Sequence, residues 1–433
     1  MLLRGIYRFA MLGSSLALKG KKLLVFDDGL ASKDGHWFEY DKAIVAIHRQ
    51  LGVEVTILAH KDFRFGGELA EAGAVVRPAI AFSPWSWTPP RGPLARMAAR
   101  WKLLAPFVEW NGVVQQARLH AAVLEEALAK DAYDCVLHPG ALAADFVAWS
   151  LVSPKLRARA ERIVLSTFMP LGTYFSSGPP AFARKLRYWK WAVKCLKREF
   201  AAGRMVMLVD SPRLVEEYRQ VAGLEAQPVS SPRAIAHADP DLSSPRTSLV
   251  FGSLGAARWE KGIDLFEGAI ERLIAQGKAS GLGFVIQRNR VVNGPAGQPL
   301  PLPPALADAD SVIYLTDVLT SQDYDRTLSR IDCMVLPYRR ELYHSRSSAV
   351  AIEAACAGIP MIYTADTWLS DFVAEQGAGI AVADGDSAAL ERAMLDMAQD
   401  YPAFKALADD RAAVARERNS PERYARAVWG LGG

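Results

Sequence analysis

The chain has 433 residues, 51% hydrophobic and 23% charged, with 32 Gly, 25 Pro and four Cys. At about 100–200 residues per domain it holds two or three domains, and a composition near the globular average excludes a disordered, collagen-like or disulfide-scaffold chain. The net charge of +4 conceals an asymmetry, because residues 1–200 carry 28 Lys/Arg against 17 Asp/Glu whereas residues 201–433 carry 23 against 30.

Residues 1–20 are a lead-in whose basic and apolar pattern reads as a signal peptide, an interfacial anchor or a plain approach to the first strand. No stretch reaches the roughly 20 apolar residues of a membrane span. Short β-branched runs then mark strands at Leu23–Phe26, Val53–Leu58, Cys135–Leu137, Ile163–Thr167 and Val206–Val209, with a helical pattern over Glu39–Leu51. Ala81–Pro93 is a Pro- and Trp-rich loop. Phe182–Phe200 is a basic amphipathic helix, with Phe182, Leu186, Trp189, Val193, Leu196 and Phe200 on one stripe and cations away from it. That pattern suits either a helix in anionic headgroups or one packed on its own domain with a solvated basic face, and Tyr188 and Trp191 tilt it toward the membrane.

Eight of the 11 Trp precede residue 192, so the first half pairs basic charge with aromatics, which points to an anionic surface or substrate. No nucleic-acid-binding signature accompanies it, so nucleic acid is not an expected partner. The four Cys lie far apart without metal-ligand spacing, which suits a reduced cytoplasmic protein.

Gln227–Pro245, rich in Pro and Ser, reads as a linker. Beyond it strand and helix alternate regularly through Leu249–Ser253, Phe284–Gln287, Val312–Leu315, Cys333–Pro337, Met361–Thr364 and Ile380–Ala383. Such alternation means parallel sheets covered on both faces. The expected organisation is an N-terminal domain over 21–240, a second over 246–412, and a helix over 413–433 crossing back to the first.

Two segments carry the chemistry. In Phe251–Asp264 (FGSLGAARWEKGID), small residues Gly252 and Gly255 at a strand end would let a ligand approach the backbone, and Arg258 and Lys261 are placed to grip a diphosphate. In Pro337–Pro360 (PYRRELYHSRSSAVAIEAACAGIP), a helix opens at Ser347-Ser348, where free N–H groups and the macrodipole favour an anion. Glu353 lies in an otherwise apolar run of that helix, which is costly unless it faces a partner such as ribose hydroxyls.

Together these segments resemble the nucleotide-sugar-binding domain of GT-B glycosyltransferases, particularly the retaining family 4, whose pattern is G-x-x-R-x-x-K-G followed by E-x7-E and A-x-G-x-P. Arg258, Lys261 and Gly262 match the first part; Glu353, Ala357, Gly358 and Pro360 match the second. The resemblance implies an α/β GT-B fold, two Rossmann-like parallel-sheet domains facing across a cleft. It implies a nucleotide diphospho-sugar as donor substrate, with no cofactor and no metal. Arg258 and Lys261 would hold the diphosphate and stabilise the leaving charge, Arg346, Ser347 and Ser348 would add donors, Glu353 would bind the ribose, and Tyr314–Asp317 would read the base. Ser345 departs from the pattern, standing where the family places the first glutamate, although Tyr343, Arg346, Ser347, Ser348 and Val350 suit a Y-x-x-R-S-S-x-V version.

In the first domain Asp28 and His36 are acceptor-side candidates around the Gly35–Tyr40 loop, and His138 is a candidate catalytic group at another strand end. Asp27-Asp28 alone make weak evidence for a metal. No P-loop, H-E-x-x-H, G-x-S-x-G or G-x-G-x-x-G in context supports a kinase, zinc hydrolase, serine hydrolase or Rossmann oxidoreductase. The expected function is a glycosyltransferase acting on a lipid-linked or membrane-proximal glycan in surface polysaccharide or glycolipid assembly. The alternatives are a non-catalytic GT-B partner in such a system, and more distantly an epimerase or phosphorylase.

Overall fold

The computed structural model describes residues 18–33, 37–82, 105–173, 181–182, 186–232 and 248–431. Contacts divide the chain into unit 1 (Met1–Leu171, Phe182–Ala234 and Ser420–Gly433) and unit 2 (Gly172–Ala181 and Ile235–Asn419).

Unit 1 is built on seven strands: β1 (Lys22–Phe26), β2 (Glu54–His60), β3 (Ala74–Ile80), β4 (Tyr133–His138), β5 (Ala160–Thr167), β6 (Met205–Val209) and β7 (Gln227–Pro228). All run parallel, in the order β3-β2-β1-β4-β5-β6-β7. A parallel sheet is buried on both faces, and successive side chains point to opposite faces. β1 shows this directly. Leu24 and Phe26 join one core with Phe146, Trp149 and Trp189, while Leu23 and Val25 join another with Ile44, Tyr424 and Val428. Each such side chain, fully buried, stabilises the fold by about 1.5–3 kcal/mol.

Helices α1 (Trp37–Gln50), α2 (Ala105–Lys130), α3 (Ala143–Leu151), α4 (Leu186–Ala201) and α5 (Pro212–Ala222) connect the strands. Two expectations are refined here. Of the basic helix's stripe, Trp189 and Leu196 are buried in the core of unit 1, Val193 and Phe200 pack against it, and the Trp189 ring lies 4.4 Å from that of Phe146, whereas the side chains of Phe182 and Leu186 lie outside the described ones. The described part of the stripe is thus used in protein packing. The start of the expected linker, Gln227–Pro228, is a short edge strand on β6; a Pro is tolerated there because no further strand needs its missing N–H. The remainder of the linker from 233 to 245 lies outside the described residues.

Unit 2 has six parallel strands: β8 (Leu249–Ser253), β9 (Leu282–Gln287), β10 (Val312–Leu315), β11 (Cys333–Leu336), β12 (Met361–Thr364) and β13 (Gly379–Val382). Their order is β10-β9-β8-β11-β12-β13. Its longer helices are α6 (Ile263–Ala275), α7 (Ser321–Leu328), α8 (Ala349–Cys356), α9 (Trp368–Gln376), α10 (Ser387–Gln399) and α11 (Tyr401–Arg418). Again alternate residues divide: Met334 and Leu336 of β11 face one core, Cys333 and Val335 the other.

The chain passes from unit 2 to unit 1 at Ser420, whose hydroxyl caps α12 (Pro421–Trp429) by accepting the Arg423 N–H. That helix is anchored on unit 1 by a Tyr424–Tyr40 hydroxyl contact and by Arg162 Nε donating to the Val428 carbonyl at 2.7 Å. Both sheets share one consequence. Strand order reverses between β1 and β4 in unit 1 and between β8 and β11 in unit 2, and ligands of open α/β sheets bind outside the carboxyl ends at such a switch point.

Candidate functional site

The two motif segments of unit 2 leave β8 and β11, the strands that flank its switch point. They are clamped together. The short 3₁₀ turn Trp259–Lys261 ends at Gly262, a left-handed residue (φ 68°) where a Cβ would lie 2.0 Å from the Pro337 carbonyl oxygen. Arg339 N–H donates to the Glu260 carbonyl at 2.9 Å, and the Arg339 guanidinium stacks on Trp259 and pairs with Asp264 at 2.5 Å. Gly262 of the motif is thus required by backbone approach.

Lys261 is the centre of the site. A Cβ added at Gly255 would come within 2.9 Å of Lys261 Nζ and 3.4 Å of Val350 Cγ2, so the ammonium and the first turn of α8 meet over that glycine. Nζ also lies 5.9 Å from the Tyr338 ring, whose hydroxyl is 3.2 Å from Ser348 Oγ. Ser348 caps α8 by accepting the Ala351 N–H at 3.3 Å. Arg346 lies over Tyr343, which packs on Tyr338 with ring centroids 4.4 Å apart. Desolvation, then the neighbouring charges of Arg258 and Arg346, press the Lys261 ammonium down to about 7, against the weaker opposing pull of Glu260 and Glu353. Three cations share one electrostatic field at a helix start, an arrangement that an anion would relieve.

Glu353 is half-buried on α8, and its Oε2 accepts the Tyr324 hydroxyl of α7 at 2.5 Å. The acid therefore has a fixed orientation close to the cations. Replacing Glu353 by Gln should weaken nucleoside diphosphate binding by about tenfold or more, the scale of a hydrogen bond to a charged group, while leaving pyrophosphate binding nearly unchanged. Calorimetric titration of both ligands checks this.

Lys261 also predicts a pH dependence. Its folded-state pKa is depressed, and a bound diphosphate favours the charged form. Affinity for a nucleoside diphosphate should therefore strengthen as pH falls from about 9 to about 7, by up to about tenfold per unit, and the slope should flatten in Lys261→Arg.

Both glycines are held by contacts of their own. The space beside Gly252 is filled by Ile331, whose Cδ1 would be 2.2 Å from an added Cβ, so packing alone already requires a glycine there. The Gly255 amide is already donated to Gln287 Oε1 at 2.7 Å, which ties the loop to the end of β9. Ser345 is buried, Ser347 half-buried. At the expected base-reading position, the Tyr314 hydroxyl donates to Glu267 at 3.3 Å within a network that includes Arg288.

In unit 1 the structure places two of the expected residues in the interior. Asp28 is 1% and His138 0% exposed, and neither faces solvent. They lie instead with His120 of α2 and Asp145 of α3: His120 Nδ1 is 2.7 Å from Asp145 Oδ1, His120 Nε2 is 3.8 Å from Asp28 Oδ2, and His138 Nε2 is 3.4 Å from Asp145 Oδ1. His36 lies outside the described residues. Sequence reading missed His120, Asp145, Gln287, Tyr338 and Tyr324. Of these only Tyr338, directly after a strand and inside a motif segment, carried a local signal.

Residues 245–400 match a family model described as "Glycosyl transferases group 1". No curated protein sequence matches the chain. Among solved structures, sucrose-phosphate synthase from Thermosynechococcus elongatus aligns with a TM-score of 0.62 at 14% identity, covering 94% of this chain and 96% of that one. HepE from Anabaena in complex with UDP and glucose aligns with a TM-score of 0.60 at 16% identity, covering 95% and 100%. The lipopolysaccharide outer core galactosyltransferase WaaB aligns with a TM-score of 0.56 at 12% identity, covering 94% and 99%. The class follows: the chain has the GT-B fold, and residues 245–400 of it match the group 1 glycosyltransferase model.

Proposed function

We propose that the chain transfers a glycosyl group, with retention, from a nucleotide diphospho-sugar held by unit 2 to a lipid-linked or membrane-proximal glycan. The observation that carries this reading is the gathering of Arg258, Lys261 and Arg346 at the start of α8, where burial and the two guanidinium groups depress Lys261 to about 7. In this reading Arg258 and Lys261 bind the diphosphate and stabilise its charge as the anomeric bond breaks, and the amides of α8 add to the same field. Glu353, oriented by Tyr324, accepts from ribose hydroxyls. The departing phosphate oxygen takes the proton of the acceptor hydroxyl. Fixed cations at this site supply the neutralisation, so the transfer step itself is expected to need no divalent metal.

A uridine diphospho-sugar is the first donor to try, since HepE is described with UDP and glucose. The acceptor class rests on the basic first half and on the name of WaaB, a lipopolysaccharide-core enzyme. Among the described residues no helix is long and apolar enough to cross a membrane. The outward face of α4 nevertheless presents Lys190, Trp191, Lys194, Lys197 and Arg198, and we assign peripheral contact with the inner face of the cell membrane to it. At about 1 kcal/mol per cation near an anionic surface, exchanging Lys190, Lys194 and Lys197 for Glu should lower vesicle binding by at least about a hundredfold. Sedimentation with anionic and with neutral vesicles reads this.

The test of the activity is a donor panel of UDP-, GDP- and ADP-sugars with glycolipid acceptors, scored for transferred sugar and anomeric configuration. A second reading rests on Ser345, buried where the family places a glutamate: a non-catalytic partner in polysaccharide assembly. It predicts nucleotide binding without turnover on any donor.

A further inference from the structure

We infer that Asp28, His120 and Asp145 form a binding site for a divalent transition-metal cation in unit 1, with His138 placed to join them. The four residues come from separate parts of the chain: the loop after β1, the middle of α2, the first turn of α3 and the end of β4. They meet at the switch point of the unit 1 sheet. One ligand atom from each of Asp28, His120 and Asp145 lies within 4.8 Å of the others. Metal–ligand bonds of about 2.0–2.2 Å hold ligand atoms at most about 4.4 Å apart, so modest side-chain movement brings the three into reach of one ion.

The second observation is what the site leaves unsatisfied. Both carboxylate oxygens of Asp28 and both ring nitrogens of His138 have no hydrogen-bond partner among the described residues, although both side chains are almost wholly buried. Burial of a carboxylate without a hydrogen bond costs several kcal/mol, and such groups are ordinarily hydrogen-bonded or bound to metal; His120 Nε2, 3.8 Å from Asp28 Oδ2, stands beyond hydrogen-bond reach. The neighbouring Asp27 shows the contrast. Its Oδ1 accepts the N–H groups of Gly29 and Leu30 at 2.8 and 3.1 Å, so it is consumed by its turn. Among the described residues an apolar ring flanks both histidines: Phe26 lies 4.5 Å from His138 and 5.2 Å from His120.

The remaining contacts set the starting geometry. Asp145 Oδ2 accepts the Leu142 N–H at 2.7 Å, which fixes its carboxylate. His120 is hydrogen-bonded at both ring nitrogens, Nε2 donating to the Phe82 carbonyl at 3.1 Å and Nδ1 lying 2.7 Å from Asp145 Oδ1, so an ion takes the place of one of these hydrogen bonds. Two carboxylates balance a double positive charge, and imidazole nitrogen with carboxylate oxygen suits zinc, with manganese or cobalt as weaker occupants. A closed set of protein ligands defines a structural ion, here a staple joining α2 and α3 to the ends of β1 and β4. This ion belongs to unit 1 and takes no part in diphosphate binding by unit 2.

The test is elemental analysis of the full chain, expressed without a histidine tag in zinc-supplemented medium and purified without chelator. About one zinc per chain is expected, with a Tm that falls on chelation and returns when zinc is added. Asp28→Asn and His138→Gln should each lower the zinc content, Asp28→Asn by more than about tenfold, and abolish the zinc-dependent recovery of Tm. Cobalt substitution should give visible absorption bands that Asp28→Asn removes. A wild-type chain that carries neither zinc nor manganese, and whose Tm moves with neither, overturns the site. So does zinc retained in full by both variants. Because the wild-type readings suffice on their own, a variant that fails to fold does not shield the proposal.

Discussion

Lys261→Met is expected to lower kcat/KM for glycosyl transfer by about 10²–10³-fold, the loss found when one fixed charge-stabilising donor is removed from a reacting centre. The same change should leave Tm unchanged or higher. The ammonium is desolvated and sits in the repulsive field of Arg258 and Arg346, which depress it to about 7. A thioether of similar length removes that repulsion while keeping the contact with Tyr338. Activity and stability thus move in opposite directions, the signature of a group held in an unfavourable place for the sake of a ligand. Steady-state kinetics and thermal melting on one preparation check both halves. A loss of activity that accompanies a lower Tm would mean that Lys261 is structural.

Gly262→Ala should produce the largest loss of stability among the site glycines. The left-handed backbone alone costs about 1–2 kcal/mol in a residue with a Cβ. Steric overlap costs more, because the added carbon would stand 2.0 Å from the Pro337 carbonyl oxygen, a backbone atom that cannot rotate away. The chain leading to α8 must shift, with a total cost of about 3 kcal/mol or more and a Tm lower by roughly 6–12 °C. Gly255→Ala makes a useful comparison. Its closest new contact is the end of the flexible Lys261 side chain at 2.9 Å, so it should displace the ammonium and weaken nucleotide binding with a smaller effect on Tm. Equal melting of Gly262→Ala and wild type would contradict the backbone account.

The architecture of unit 2 was legible because each strand is a short buried apolar run followed by an amphipathic helix, and because both motif segments follow strands that prove to flank the switch point. The glycine and Arg-Lys spacing could be read for the same reason, since Arg258, Lys261 and Gly262 follow a strand directly. What stayed hidden depends on residues distant in sequence. Gln287 captures the Gly255 amide from 32 positions away, and Tyr324 reaches Glu353 from another helix. Nothing local to Asp28 or His138 signals that His120 and Asp145 will lie beside them, since those two sit inside helices where a polar residue usually faces water. The stripe on α4 was visible, but its partner was not: an apolar face reads the same whether a membrane or Phe146 covers it.

The most direct measurement is calorimetric titration of UDP, GDP and ADP into wild-type protein and into Lys261→Met near neutral pH. One nucleotide should bind the wild type, and its affinity should fall at least about tenfold in the variant, as expected for a lost charge-assisted contact. Binding of none of the three, or of one equally well to both proteins, would contradict the diphosphate site.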